Sequence, residues 1–145
     1  MPTRSERIRE AFNNLRAESM EILDSFYSPE VVFQDPLGRI EGLSALKQYY
    51  AHMYENVLSI RFDATDELVQ GDKHVLIWSM YLRARSLNKG NEVVLDGNSV
   101  LHFDADDLVR FHRDYFDMGA FIYVHIPIVG YVIRKINARL ELPKI

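Results

Sequence analysis

Apolar residues recur along this chain with two different periods, and the change from one to the other divides it. Ile8, Phe12, Leu15, Ile22 and Phe26 form a stripe of roughly helical spacing. Thr3 and Glu6 stand at the spacing of a capping box, in which each side chain satisfies an orphan backbone N–H, so a first helix is predicted over about 5–27. Ser28-Pro29 is expected to end it, because proline disfavours α geometry in the residue before it. Residues 31–35 read as a short strand, stopped by Pro36 and Gly38. Gly42 leads into a second helix with Leu43, Leu46, Tyr50, Met53 and Val57 as its apolar face.

Past this helix the period shortens to two, as Ile60, Phe62 and Ala64 illustrate. Strands are predicted over about 58–70, 74–86, 92–103 and 108–117, divided by Gly71-Asp72, by residues 88–91 and by residues 104–107. Tight turns make consecutive strands antiparallel neighbours. A last helix is predicted over about 119–140, kinked or split at Pro127 and Gly130. Helices followed by an antiparallel meander define an α+β fold with helices on one face of a sheet. The last helix is apolar almost all round: Phe121, Ile122, Val124, Ile126, Ile128, Val129, Val132 and Ile133 precede Arg134, Lys135 and Arg139. Such a helix needs cover, from the body of the domain or from a second copy, and a homodimer is expected. An anionic membrane surface is the weaker alternative, because the apolar residues are spread around the helix.

With 145 residues the chain is long enough for one domain, taken as 1–145, with a proper core. It contains no cysteine, which excludes disulfides, a thiol nucleophile and thiolate-bound zinc. A net charge of −4, from 17 basic and 21 acidic residues, speaks against nucleic acid as a partner. The longest apolar run, 118–133, is interrupted by His125, Pro127 and Gly130 and falls short of the roughly 20 residues of a membrane span. The first residues are charged and lack the apolar core of a secretory signal, so a cytoplasmic location is expected.

Three stretches carry a family resemblance: Val31-Val32-Phe33-Gln34-Asp35-Pro36-Leu37-Gly38, then Gly42-Leu43-Ser44-Ala45-Leu46 with Tyr49-Tyr50, and Arg113-Asp114-Tyr115-Phe116-Asp117. They resemble the nuclear transport factor 2-like superfamily, which includes ketosteroid isomerases, SnoaL-like polyketide cyclases and limonene epoxide hydrolase. The resemblance implies a cone: a curved antiparallel sheet wrapped around N-terminal helices, with a C-terminal helix and an apolar hollow. It places Asp35 on the isomerase general base and Asp114 on one aspartate of the hydrolase triad. The isomerase's two oxyanion donors fall on Ala11 and Ser99, and the other two hydrolase positions on Trp78 and Met80. Losing one oxyanion donor costs about 10²–10³ in rate, so neither mechanism transfers whole.

If Asp114 faces the hollow, as the resemblance implies, strand parity brings His112 and Phe116 with it. Trp78 and Met80 then face inward on the second strand; Gly97, Ser99, Leu101 and Phe103 do so on the third; Val31, Phe33 and Asp35 share a face on the short strand. The candidate catalytic residues are Asp35 as general base, Asp114 to position or protonate, and His112 to tune Asp114. Phe33, Trp78, Met80, Ser99, Leu101 and Phe116 are the candidate substrate contacts. The bland alternatives are that Asp35 caps a turn, that Asp114 is structural and that His112 is a core histidine donating to it. A metal held by His112, Asp114 and His102 does not close, since His102 has the wrong parity; no metal or cofactor is expected. His52, His74 and His125 are assigned to the surface or an interface. Asp104, Asp106 and Asp107 are read as a solvated turn, because the glycine and distant glutamate of a calcium loop are missing.

Three functions fit: a cofactor-free isomerase, cyclase or dehydratase-like enzyme for a small apolar carbonyl compound; a non-catalytic binder of a hydrophobic small molecule; or an interaction module with a filled interior. An open hollow separates the first two from the third.

Overall fold

The computed structural model describes residues 1–141. Helix α1 spans Arg4–Asn14 and opens on the expected capping box: Thr3 Oγ1 accepts from the Glu6 N–H at 3.1 Å, and Glu6 Oε2 accepts from the Thr3 N–H at 2.8 Å. It ends well short of residue 27. Asn14 donates from its side chain to the Glu10 carbonyl at 2.8 Å, competing with the helix backbone. Asn13 turns outward and exchanges two hydrogen bonds with the Phe62 backbone. Leu15 is extended, and the chain resumes as a 3-10 helix over Met20–Ser25, in which Leu23 rather than Ile22 reaches the core.

Strand β1, Tyr27–Asp35, begins before Pro29, so Ser28-Pro29 lies inside a strand instead of ending a helix. The β1–β6 register slips between Tyr27 and Val32, and a residue without an N–H is tolerated in such an irregular stretch. Strand β2, Gly38–Glu41, pairs back on β1 as a hairpin that the periodicity does not predict. Helix α2 spans Leu43–Tyr54; its buried face is Leu43, Leu46, Tyr50 and Tyr54, while Met53 turns toward solvent.

The meander is as expected: β3 Val57–Gln70, β4 Lys73–Ala84, β5 Val93–Phe103 and β6 Val109–Phe116, each antiparallel to the next. All six strands form one curved, open sheet in the order β2-β1-β6-β5-β4-β3, with β1 parallel to β6. Leu15, Leu23, Phe26, Tyr27, Val31, Leu46 and Val109 fill the space between this sheet and the helices.

The predicted C-terminal helix is three pieces: α3 at Met118–Phe121, a 3-10 turn at Tyr123–His125 and α4 at Pro127–Leu140. Pro127 starts α4, where its missing N–H costs nothing. Gly130 does not break it; it packs against the preceding turn, where a Cβ would meet the Val124 carbonyl oxygen at 2.2 Å. The body of the chain leaves α4 uncovered: Ile128 is 80% exposed, and Val132, Ile136 and Leu140 also face solvent. No helix among the described residues is long and apolar enough to cross a membrane.

His74, assigned above to the surface, is buried beside Phe103, with Nδ1 3.1 Å from Glu67 Oε1. The 104–107 turn nearby is an anchor. Asp104 Oδ1 accepts from the N–H groups of Asp106 and Leu108, and Asp107 pairs with Arg4 and Arg7 of α1. The Arg4 hydrogen bond foremost holds the Asp107 carboxyl below its ordinary value of 3.8. A depressed pKa contributes stability that is present above the unfolded value and lost as pH falls. Asp107→Asn, which keeps a residue type tolerant of the left-handed backbone here, is therefore expected to cost about 1 kcal/mol at neutral pH, discounted for exposure. Thermal melts across pH check this: the gap between variant and parent should close in acid.

Candidate functional site

The concave face of the sheet and helices α1, α2 and α3 enclose a cavity of about 380 Å³. Its wall is mainly apolar and aromatic. All nine candidate residues from the sequence lie on it: Phe33 and Asp35 from β1, Trp78 and Met80 from β4, Ser99 and Leu101 from β5, and His112, Asp114 and Phe116 from β6. Val31 and Phe103 share strand faces with these residues but are buried in the core beyond the cavity. Gly97 lies beneath Trp78, its cross-strand partner. His102 is outside the cavity, against Phe111. His52, strongly exposed, stands at the cavity's edge, and His125 is half-buried in the turn before α4.

Strand register assembles the polar groups. Ser99 lies directly across from Asp114, and Phe33 beside His112, which brings Asp35 alongside Asp114 at the end of the parallel pair. The Trp78 indole N–H, which can only donate, bonds Ser99 Oγ at 2.9 Å. Ser99 in turn donates to Asp114 Oδ1 at 2.5 Å, and His112 Nε2 lies 2.7 Å from the same oxygen. Asp114 Oδ2 has no hydrogen-bond partner among the described residues and is not sealed from solvent.

Asp35 is bound differently. Its Oδ1 accepts from the N–H groups of Leu37 at 2.8 Å and Gly38 at 3.2 Å, so it does cap the β1–β2 turn. Its Oδ2 accepts from the Tyr49 hydroxyl. The turn and the cavity share this one carboxylate.

Three phenols were not singled out from the sequence. Tyr49 lines the cavity on Asp35. Tyr27 Oη is 2.5 Å from His112 Nδ1 and 3.3 Å from Tyr50 Oη, deep in the core. Burial pushes the hydroxyls of Tyr27, Tyr49 and Tyr50 up, and the Asp35 hydrogen bond adds to the rise at Tyr49, so all three hold their protons at neutral pH. The apolar stripe of α2 contains Tyr50, with Tyr49 next to it; nothing in the sequence points to Tyr27. No group of three or more histidine, aspartate or glutamate side chains among the described residues is placed to hold a metal ion.

No curated protein matches the chain. Solved structures do. A ketosteroid isomerase-like protein from Catenulispora acidiphila, in complex with trimethylamine, superposes with a TM-score of 0.72 at 10% identity, over 86% of this chain and 92% of that one. A SnoaL-like protein from Shewanella denitrificans, described as a candidate polyketide cyclase, gives 0.69 at 18% identity over 91% and 99%. TerC, co-crystallised with polyporic acid, gives 0.67 at 21% identity over 81% and 93%. Identities this low establish the fold alone. Residues 6–112 match the SnoaL-like domain itself, a span that runs from α1 to His112 and takes in most of the cavity wall, and the chain belongs to that family.

Proposed function

We propose that the cavity is the active site of a cofactor-free isomerase, cyclase or dehydratase-like enzyme acting on a small apolar carbonyl compound. The observation that carries this reading is the half-free carboxylate of Asp114, a residue of the cavity wall: two side chains bond one oxygen, and the other has no partner among the described residues. Ser99 and His112 both engage Oδ1, which leaves Oδ2 as the oxygen that can act as a base. Asp35 has both oxygens engaged, which moves the role of base from Asp35, where the isomerase pattern puts it, to Asp114.

Asp114 Oδ2 takes a proton from the carbon next to the substrate carbonyl. The electron pair moves onto the carbonyl oxygen, which needs a hydrogen-bond donor. Tyr49, neutral and at the cavity wall, supplies it when its single O–H turns from Asp35 Oδ2 to the substrate oxygen. The proton then returns to another carbon in isomerisation, leaves with a β-hydroxyl as water in dehydration, or, in cyclisation, goes to the oxygen of a second carbonyl as the enolate carbon bonds to that carbonyl's carbon. The open cavity speaks against a filled interaction module. A second copy covering the apolar face of α4 belongs to the same proposal, since α4 carries three bases and no acid while the chain is net −4; a solution mass of two chains is its check.

Trp78 is the only tryptophan, so its fluorescence reports ligand entry directly. A set of hydrophobic ketones and hydroxyketones screened this way, followed by deuterium exchange at the carbon next to the carbonyl, tests the reading. Binding with exchange supports an enzyme. Binding without exchange leaves a carrier of hydrophobic molecules.

A further inference from the structure

We propose that Tyr27 is a positioning residue that fixes His112 as its neutral Nε2–H tautomer, so that the imidazole donates to Asp114 without cancelling its charge. The inference rests on the reading of Asp114 as a base, but its geometry stands apart from any substrate. His112 is 3% exposed and both ring nitrogens are engaged, Nε2 with Asp114 and Nδ1 with Tyr27. Its ring is boxed in: Phe33 and Phe12 meet it edge-on with centroids at 5.0 and 6.2 Å, and Tyr27 stacks on it at 5.8 Å. A ring flip would put carbons where both partners need nitrogens.

Counting hydrogens selects one order. If Tyr50 donates to Tyr27, and Tyr27 to His112 Nδ1, each phenol proton has an acceptor, and the Nε2–H points at Asp114 Oδ1. If Nδ1 carried the proton instead, Tyr27 would donate to Tyr50. The buried Tyr50 hydroxyl would then have no acceptor among the described residues, at the full cost of an unmade hydrogen bond. A neutral Nδ1–H ring would also set the Nε2 lone pair against a carboxylate. The groups packed on His112 add no second charge. From β1 come Phe33 and Tyr27, from β5 Leu101, from α1 Phe12, from α2 Tyr50 beyond Tyr27, and from its own strand Asp114. Tyr27 thus occupies the Nδ1 lone pair, and Asp114 Oδ1 keeps a neutral N–H donor.

Nitrogen-15 NMR of the imidazole tests this on the ligand-free protein. The parent should show His112 as a single neutral Nε2–H tautomer at neutral pH. Tyr27→Phe keeps the ring and removes the hydroxyl; its His112 should mix tautomers. Tyr50→Phe leaves the Tyr27 hydroxyl in place and should keep the parent tautomer. A parent spectrum with Nδ1–H or imidazolium at neutral pH overturns the proposal whatever the variants do, and so does a Tyr27→Phe spectrum identical to the parent. Absence of turnover with the expected tautomer refutes the enzymatic reading and leaves this inference standing.

Discussion

Asp114→Asn is expected to lower proton exchange at the substrate carbon by about 10²–10⁴-fold, the usual weight of a positioned general base. Ligand affinity should stay within about threefold. The two effects separate because of how the carboxylate is held. An asparagine oxygen in the place of Oδ1 still accepts from Ser99 and His112, so the wall is preserved. Its amide replaces Oδ2, the oxygen without a partner among the described residues, and an amide does not take a proton at neutral pH. The corresponding change at Asp35 works through other atoms. Asparagine there still accepts from Leu37 and Gly38, but its NH₂ meets the Tyr49 hydroxyl and turns that O–H away. Asp35→Asn therefore leaves the Tyr49 O–H free of the carboxylate and should change exchange far less than Asp114→Asn does, with intact Asp114 chemistry. Deuterium incorporation measured beside fluorescence titration decides the matter. Equal turnover in parent and Asp114→Asn removes Asp114 from the mechanism, and a larger loss in Asp35→Asn returns the base to Asp35.

That comparison depends on features only partly legible in the sequence. Alternation placed the inward faces of β4, β5 and β6, because a strand period of two fixes every second side chain once one is known; Trp78, Ser99 and Asp114 follow from it. The local turn signals gave the meander in order. What escaped was non-local. The parallel pairing of β1 with β6 joins residues about 80 positions apart, and no spacing rule foretells it, yet it is what sets Asp35 beside Asp114 and Tyr27 beneath His112. Helix 1 was drawn too long because its apolar period runs on through the 3-10 helix, while the break comes from side chains: Asn13 reaches β3 and Asn14 folds back on Glu10. Pro29 lies inside β1 instead of ending a helix, whereas the division expected at Pro127 is where α4 starts.

Gly97→Ala is the change expected to damage the site most without touching any polar group in it. Gly97 pairs with Trp78 across β4 and β5, and the indole lies flat on the space a side chain would fill. A Cβ there would stand 2.4, 2.7 and 2.8 Å from three ring carbons, closer than atoms approach. The ring cannot yield without consequence. It is fixed at one edge by its bond to Ser99 and meets Phe62 edge-on at a centroid distance of 5.6 Å. Lifting it pushes the wall into the cavity, breaks the Trp78–Ser99 bond and frees Ser99 to leave Asp114. Overpacking of this kind costs about 1–3 kcal/mol, or very roughly 3–10 °C in melting temperature for a chain of this size. Ligand affinity should fall at the same time, since the lost volume is cavity volume. Because Trp78 is the sole tryptophan, its emission should shift in the variant before any ligand is added. The double variant Gly97→Ala with Trp78→Phe supplies the control: a smaller ring leaves room for the methyl group, so the two changes together should destabilise less than their sum. Strict additivity would mean that the clash is relieved by the backbone instead of by the indole.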